Sequence, residues 1–170
     1  PEPILILGNP PWVTSSELGA LDSSNLPEKS NFQQRRGLDA MTGKSNFDIS
    51  EWMILQYLKW LDGREGFIAV LCKTAVARKV LTHAWKNDVP IASARIYLVD
   101  AMKYFGASVE ACFFIIGLGN DRTQECHVYD NLADAKPVRR FGYRDGLLVS
   151  DIEQYGQWRH LRGVDSVYIW

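Results

Sequence analysis

The chain has 170 residues, 46% of them hydrophobic and 23% charged, with a formal net charge of −1. That is enough apolar material for one ordinary core. No run is long and apolar enough to span a membrane, and the near-neutral charge separates the chain from strongly basic binding modules. Cys72, Cys112 and Cys126 are odd in number and sit in apolar or strand-like runs. They form no Cys-x-x-Cys or Cys/His ligand spacing, so we expect buried thiols in a reducing cytoplasm and no metal site. Pro1-Glu2-Pro3 leads straight into an apolar run without the basic region of a signal peptide. The chain closes on Val167-Tyr168-Ile169-Trp170, and we expect a piece of a longer protein.

Ile4-Leu5-Ile6-Leu7-Gly8 reads as a buried strand, and Asn9-Pro10-Pro11-Trp12 as a stiff turn at its C-terminal end. Open α/β sheets bind ligands at that edge. The prolines have fixed φ and no N–H, and Asn9, preceding a proline, is pushed towards extended geometry. The turn therefore offers acceptors and one large ring. An exocyclic amino group on a heteroaromatic ring is a poor nucleophile because its lone pair is delocalised. Acceptors on its two N–H groups, Asn9 Oδ1 and the Pro10 carbonyl, favour a pyramidal nitrogen with its lone pair aimed at an electrophile, while Trp12 stacks on the ring. The structural alternative is a Pro-Pro corner capped by a core tryptophan.

Residues 13–46 are rich in Ser, Gly, Asn and Gln and show little periodicity. Long loops in compact domains are usually functional or disordered. Lys29, Arg35, Arg36 and Lys44 are balanced by Glu17, Asp22, Glu28 and Asp39, so no basic patch results. This segment reads equally as a substrate-side flap carrying Arg35 and Arg36 to phosphate or as a solvated insertion. Residues 48–61 predict a helix with Asp48 and Glu51 at capping-box spacing and Ile54, Leu55, Leu58 and Leu61 inward. Residues 66–72 predict a central strand. Thr74 is the expected cap of the next helix, with Val76, Val80, Leu81 and Ala84 inward. Lys73 between them is expected in solvent. Residues 95–99 and 109–118 predict two strands joined without a helix, hence an antiparallel hairpin at the sheet edge.

Gly117-Leu118-Gly119-Asn120 follows a strand, but residues 124–130 predict a further strand, so the helix that a phosphate-binding glycine turn requires is missing. Lys136, Arg139, Arg140 and Arg144 interleave with Phe141 and Tyr143 before an Asp145-Gly146 hairpin turn. This ribbon is the best local candidate for phosphate contact, but a solvated two-stranded ribbon is the favoured reading. Ser150 and Glu153 have the spacing of a capping box for a short helix. His83, His127 and His160 lack a carboxylate at useful spacing, and none reads as catalytic.

Asn9-Pro10-Pro11-Trp12 after an apolar strand resembles the target-base motif of S-adenosylmethionine-dependent amino-group methyltransferases. With the long segment that follows, it looks most like the N6-adenine DNA methyltransferases of restriction–modification systems. The resemblance covers about residues 1–118. It implies an α/β fold, a partial Rossmann-like methyltransferase sheet of mixed direction that finishes in an antiparallel hairpin. It further implies that Asn9 and Pro10 bind the N6 amino group and that Trp12 stacks on a flipped adenine. Asn9 would also border the cofactor, and Phe105, in Tyr104-Phe105-Gly106-Ala107, matches the aromatic that contacts the base. Lys73 departs from the family pattern, which has Pro or Asn there. Residues 1–120 would form the C-terminal half of the catalytic domain, and 121–170 an extension or linker towards a recognition domain. The glycine-rich cofactor half would precede Pro1, so this chain alone is expected to be inactive. Double-stranded DNA is the implied partner. Two alternatives stay open: methylation of another planar nitrogen (cytosine N4, an RNA base, a protein glutamine), and a non-catalytic DNA- or subunit-binding domain.

Overall fold

The computed structural model describes residues 2–14 and 48–161. In chain order the elements are β1 (Ile4–Gly8), α1 (Ile49–Trp60), β2 (Gly66–Lys73), α2 (Thr74–Lys86), β3 (Ile91–Val99), α3 (Ala101–Phe105), β4 (Ala111–Leu118), β5 (Glu125–Tyr129), β6 (Arg139–Arg144), β7 (Leu147–Val149) and α4 (Ile152–Trp158). Among the described residues the strands form one sheet of seven, in the order β1-β2-β4-β3-β5-β6-β7. β1 and β2 run parallel, joined through α1. β4 inserts antiparallel between β2 and β3. β5 returns parallel to β3, and β6 and β7 extend the sheet antiparallel.

Alternation along the strands decides which face is covered. Ile68, Val70, Cys72, Ala94, Ile96, Cys112, Phe114, Ile116, Cys126 and Val128 point to one face, where they share a core with α1 and α2. The helical residues predicted to face inward, Ile54, Leu55, Leu58, Leu61, Val76, Val80, Leu81 and Ala84, are all buried there. β1 is a strand but not the buried one its apolar run suggested: on the opposite face its Leu5 and Leu7 are 63% and 69% exposed and Phe67 of β2 is 47% exposed. Leu71, Tyr97, Phe113 and Ile115 on the same face are half-buried.

β1 approaches β2 closely because residue 66 is glycine: a Cβ there would lie 2.6 Å from the Ile4 carbonyl oxygen. Asp48 caps α1, its Oδ1 accepting the Ser50 backbone N–H at 3.0 Å rather than that of Glu51. Thr74 is not the cap of α2 but its first helical residue. Lys73 occupies the cap position without a side-chain bond to the helix. α4 is likewise capped by Asp151, whose Oδ1 accepts the Gln154 N–H at 2.9 Å, rather than by Ser150.

The expected hairpin of β3 and β4 is antiparallel, but it lies inside the sheet, between β2 and β5, and not at its edge, and its connection holds the short helix α3, which the sequence reading missed. Asp100 caps α3 through Lys103 N–H at 2.9 Å, and Gly106, at φ 64°, closes it in the left-handed conformation. β3 also starts at Ile91, earlier than its apolar pattern suggested. Beyond residue 120 the chain stays on the same sheet, with Cys126, Val128 and Phe141 in the common core. Gly117 and Gly119 close β4 and lead to β5, a strand and not a helix.

Candidate active site

The parallel ladder of β1 and β2 ends at the pair Gly8–Val70. After it the chain cannot continue pairing, because Pro10 and Pro11 carry no N–H. The side chain of Trp12 takes over: its indole Nε1–H donates to the carbonyl of Leu71, one residue past the last ladder pair, at 3.2 Å. The indole is thus tied to the C-terminal end of β2. Pro10 is buried at the base of the turn, whereas Asn9 is exposed and makes no hydrogen bond to a described residue.

Phe105 reaches this turn from the other side. It ends α3, at the C-terminal end of β3, and its ring meets Trp12 edge-on, with centroids 5.5 Å apart and an interplanar angle of 80°. Edge-to-face pairs of this kind are a favoured aromatic geometry. Tyr104 lies next to Phe105, at 6.4 Å between centroids. Tyr104 and Phe105 are 65% and 49% exposed. Four of the residues singled out from sequence therefore share one edge of the sheet: Asn9, Pro10 and Trp12 on the turn, and Phe105 against Trp12. Arg35 and Arg36 lie outside the described residues.

The outgoing side of the turn is fastened to the start of α1. Val13 O accepts the Ile49 N–H at 3.0 Å, and Thr14 forms an antiparallel bridge with Asp48. Asp48 is 7% exposed, with Oδ1 accepting from both the N–H and the hydroxyl of Ser50. Its Oδ2 accepts from Lys73 Nζ at 2.9 Å. Lys73 is therefore not a solvent lysine, as its position after an apolar strand suggested. A cavity of about 520 Å³ lies beyond, against α3, lined by Thr74, Asp100, Met102, Ser108 and Arg139 among others. Neither Asn9 nor Trp12 borders it.

The basic ribbon is neutralised in part: Arg140 and Arg144 are paired, whereas Lys136 and Arg139 are exposed and form no ion pair among the described residues. Arg140 pairs with Glu125 at 3.4 Å and Glu153 at 2.9 Å, Arg144 pairs with Glu125, and Arg159 holds Asp145 through two bonds of 3.1 Å. Burial and the nearby Lys59 push His83 below the usual histidine value. No His pairs with a carboxylate among the described residues, and no group of His, Cys, Asp and Glu there has the arrangement of a metal site.

The mixed sheet, with two helices on one face and the antiparallel β4 inserted between the parallel strands β2 and β3, is consistent with a Rossmann-like methyltransferase fold. No protein-family model matches the chain. Over 150 residues, 88% of its length, the chain is 43% identical to the type II methyltransferase M.NspV of Nostoc sp.. It spans 31% of that protein's length.

The exposed amide of Asn9, the Pro10 carbonyl and the Trp12–Phe105 pair can receive a planar amine. Among the described residues, no glycine-rich turn joins a strand to a helix in the way a nucleotide-like cofactor requires.

Proposed function

We propose that this chain is the C-terminal half of the catalytic domain (residues 1–120) of a DNA adenine-N6 methyltransferase of restriction–modification type, with residues 121–170 leading towards a recognition domain. The longer protein would act on double-stranded DNA in the cytoplasm. S-adenosylmethionine, held mainly by chain outside this sequence, supplies an electrophilic methyl group. Adenine N6 is paired inside the duplex, so the base has to leave the stack to be reached. Asn9 Oδ1 and the Pro10 carbonyl then accept its two N–H groups, and Trp12 stacks on its face with Phe105 at its edge. Asn9 also borders the cofactor. Arg35 and Arg36 touch the DNA backbone from the segment after the turn.

The observation that carries this reading is the meeting of Trp12 and Phe105, distant in sequence, beside an exposed Asn9 whose amide has no partner among the described residues. A second feature supports a longer catalytic domain: β1 is an edge strand, and its Leu5 and Leu7 continue an uncovered apolar face across Phe67. Similarity to a type II methyltransferase more than three times the matched length agrees with both.

The test is single-turnover methylation by the full-length protein on paired and mismatched duplexes. A bond from Asn9 to the reacting amine strengthens as the nitrogen turns pyramidal. Asn9→Ala should therefore lower kcat by about 10²–10³, the scale for one preorganised polar group. KM for DNA should stay near wild type, since phosphate contacts supply most of the affinity. Trp12→Ala removes a stacking surface worth about 1–3 kcal/mol, and a mismatched target base, easier to extrude, should partly rescue it. The mismatch should not rescue Asn9→Ala. Equal rescue of both variants, or near-wild-type turnover by Asn9→Ala, would reduce the turn to a structural corner.

A further inference from the structure

We infer that Lys73 and Asp48 are positioning residues for the Asn9–Trp12 turn, an inference that rests on the function proposed above. The turn is held to the end of β2 by two routes. The direct one is the Trp12 indole on the Leu71 carbonyl. The indirect one starts two residues further along β2: Lys73 Nζ bonds Asp48 Oδ2, and the main chain of Asp48 and Ile49 pairs with Thr14 and Val13, directly after Trp12.

The chemistry of burial makes the second route specific. A carboxylate as buried as Asp48 requires partners for its oxygens, or its desolvation is uncompensated. Ser50 serves Oδ1 and Lys73 serves Oδ2. Without Lys73 the charge on Oδ2 has to find water or a new partner, and any shift of the Asp48 main chain pulls on Thr14 and Val13. The segment that leaves the turn is therefore tied, through Asp48, to one ion pair. Lys73 does not reach the turn itself, so it acts through Asp48 and not on the substrate. A displacement near 1 Å at a reacting centre is enough to lower a rate about 10²-fold.

The experiment uses the full-length protein with Lys73→Met, Lys73→Arg and the double variant Asp48→Asn/Lys73→Met. Three quantities are measured: the single-turnover methylation rate, the Kd for duplex DNA, and the hydrogen-exchange rate of the Trp12 indole N–H in tryptophan-labelled protein. Lys73→Met should slow methylation by about 10- to 100-fold with Kd close to wild type, while Lys73→Arg, which keeps the charge, recovers most of the rate. Indole exchange at Trp12 should be faster in Lys73→Met and restored in Lys73→Arg. Should Lys73→Met fail to fold, the double variant, which buries no lone charge, decides: slow methylation and fast indole exchange support the inference, and wild-type values overturn it. A weakened Kd with an unchanged rate at saturating DNA also overturns it, since Lys73 would then be a phosphate contact. The indole exchange does not depend on the reaction. If Asn9→Ala methylates normally, the function proposed above fails while the exchange data still judge the positioning role.

Discussion

Trp12 serves two ends with one side chain. Its ring is the surface on which a base would stack, and its N–H fills the hydrogen bond that β1 can no longer provide to β2. Phenylalanine would keep a ring and lose the bond. Trp12→Phe is therefore expected to lower stability by about 1 kcal/mol, the usual net value of one hydrogen bond, as measured by urea denaturation. The three thiols illustrate the opposite case, reactive groups made inert. Cys72 and Cys112 face each other across β2 and β4, and all three cysteines are buried and unpaired by disulfides. The hydrogen bond with Cys112 and burial raise the Cys72 pKa well above the thiol range, and burial does the same for Cys126. The thiolate is the nucleophile, so neither should be alkylated by iodoacetamide at neutral pH until the protein is unfolded. Mass spectrometry of the native and urea-treated protein checks this.

At the level of elements, the β6–β7 hairpin turns through Asp145 at φ 51° and Gly146 at φ 83°, two consecutive left-handed residues of the kind that suit the twist of a two-residue hairpin. Asp145 tolerates this conformation with its carboxylate held by Tyr155 and Arg159 of the following segment. Gly146→Ala places a Cβ in that backbone region and should cost about 1–2 kcal/mol, read as a fall in Tm. On the neighbouring ribbon, Glu125 and Glu153 already occupy Arg140 and Arg144, while Arg139 stays exposed.

For the whole molecule, one face of the sheet is packed by α1 and α2, and the other shows Leu5, Leu7 and Phe67 to solvent. An apolar face on an edge strand is a surface for pairing with further chain or for aggregation. Leu5→Glu/Leu7→Glu should make this chain more soluble and less prone to bind a hydrophobic dye, yet abolish folding or activity when placed in the full-length protein. Dye binding of the short chain and methylation by the long one measure the two effects. Improved behaviour of both would remove the case for a covering segment.

The amino-acid sequence by itself determined most of the elements and the turn. Helical spacing marked residues of α1 and α2 that proved buried, and two prolines after a strand dictated a stiff, acceptor-rich corner at Asn9, because proline lacks the N–H that would continue a ladder. The antiparallel direction of β4 was also legible, since too little chain separates it from β3 for a full crossover. Only the tertiary structure decided what distant residues do to one another. α3 is too short to announce itself by periodicity, so the helix that carries Phe105 to Trp12 appeared only with the fold. Lys73 follows an apolar strand and gives no local sign of a partner; Asp48 becomes one because β2 ends beside the start of α1. The ion pair and the aromatic contact depend on where strands meet in the sheet, and strand order is a property of the assembled core that no short window of sequence contains.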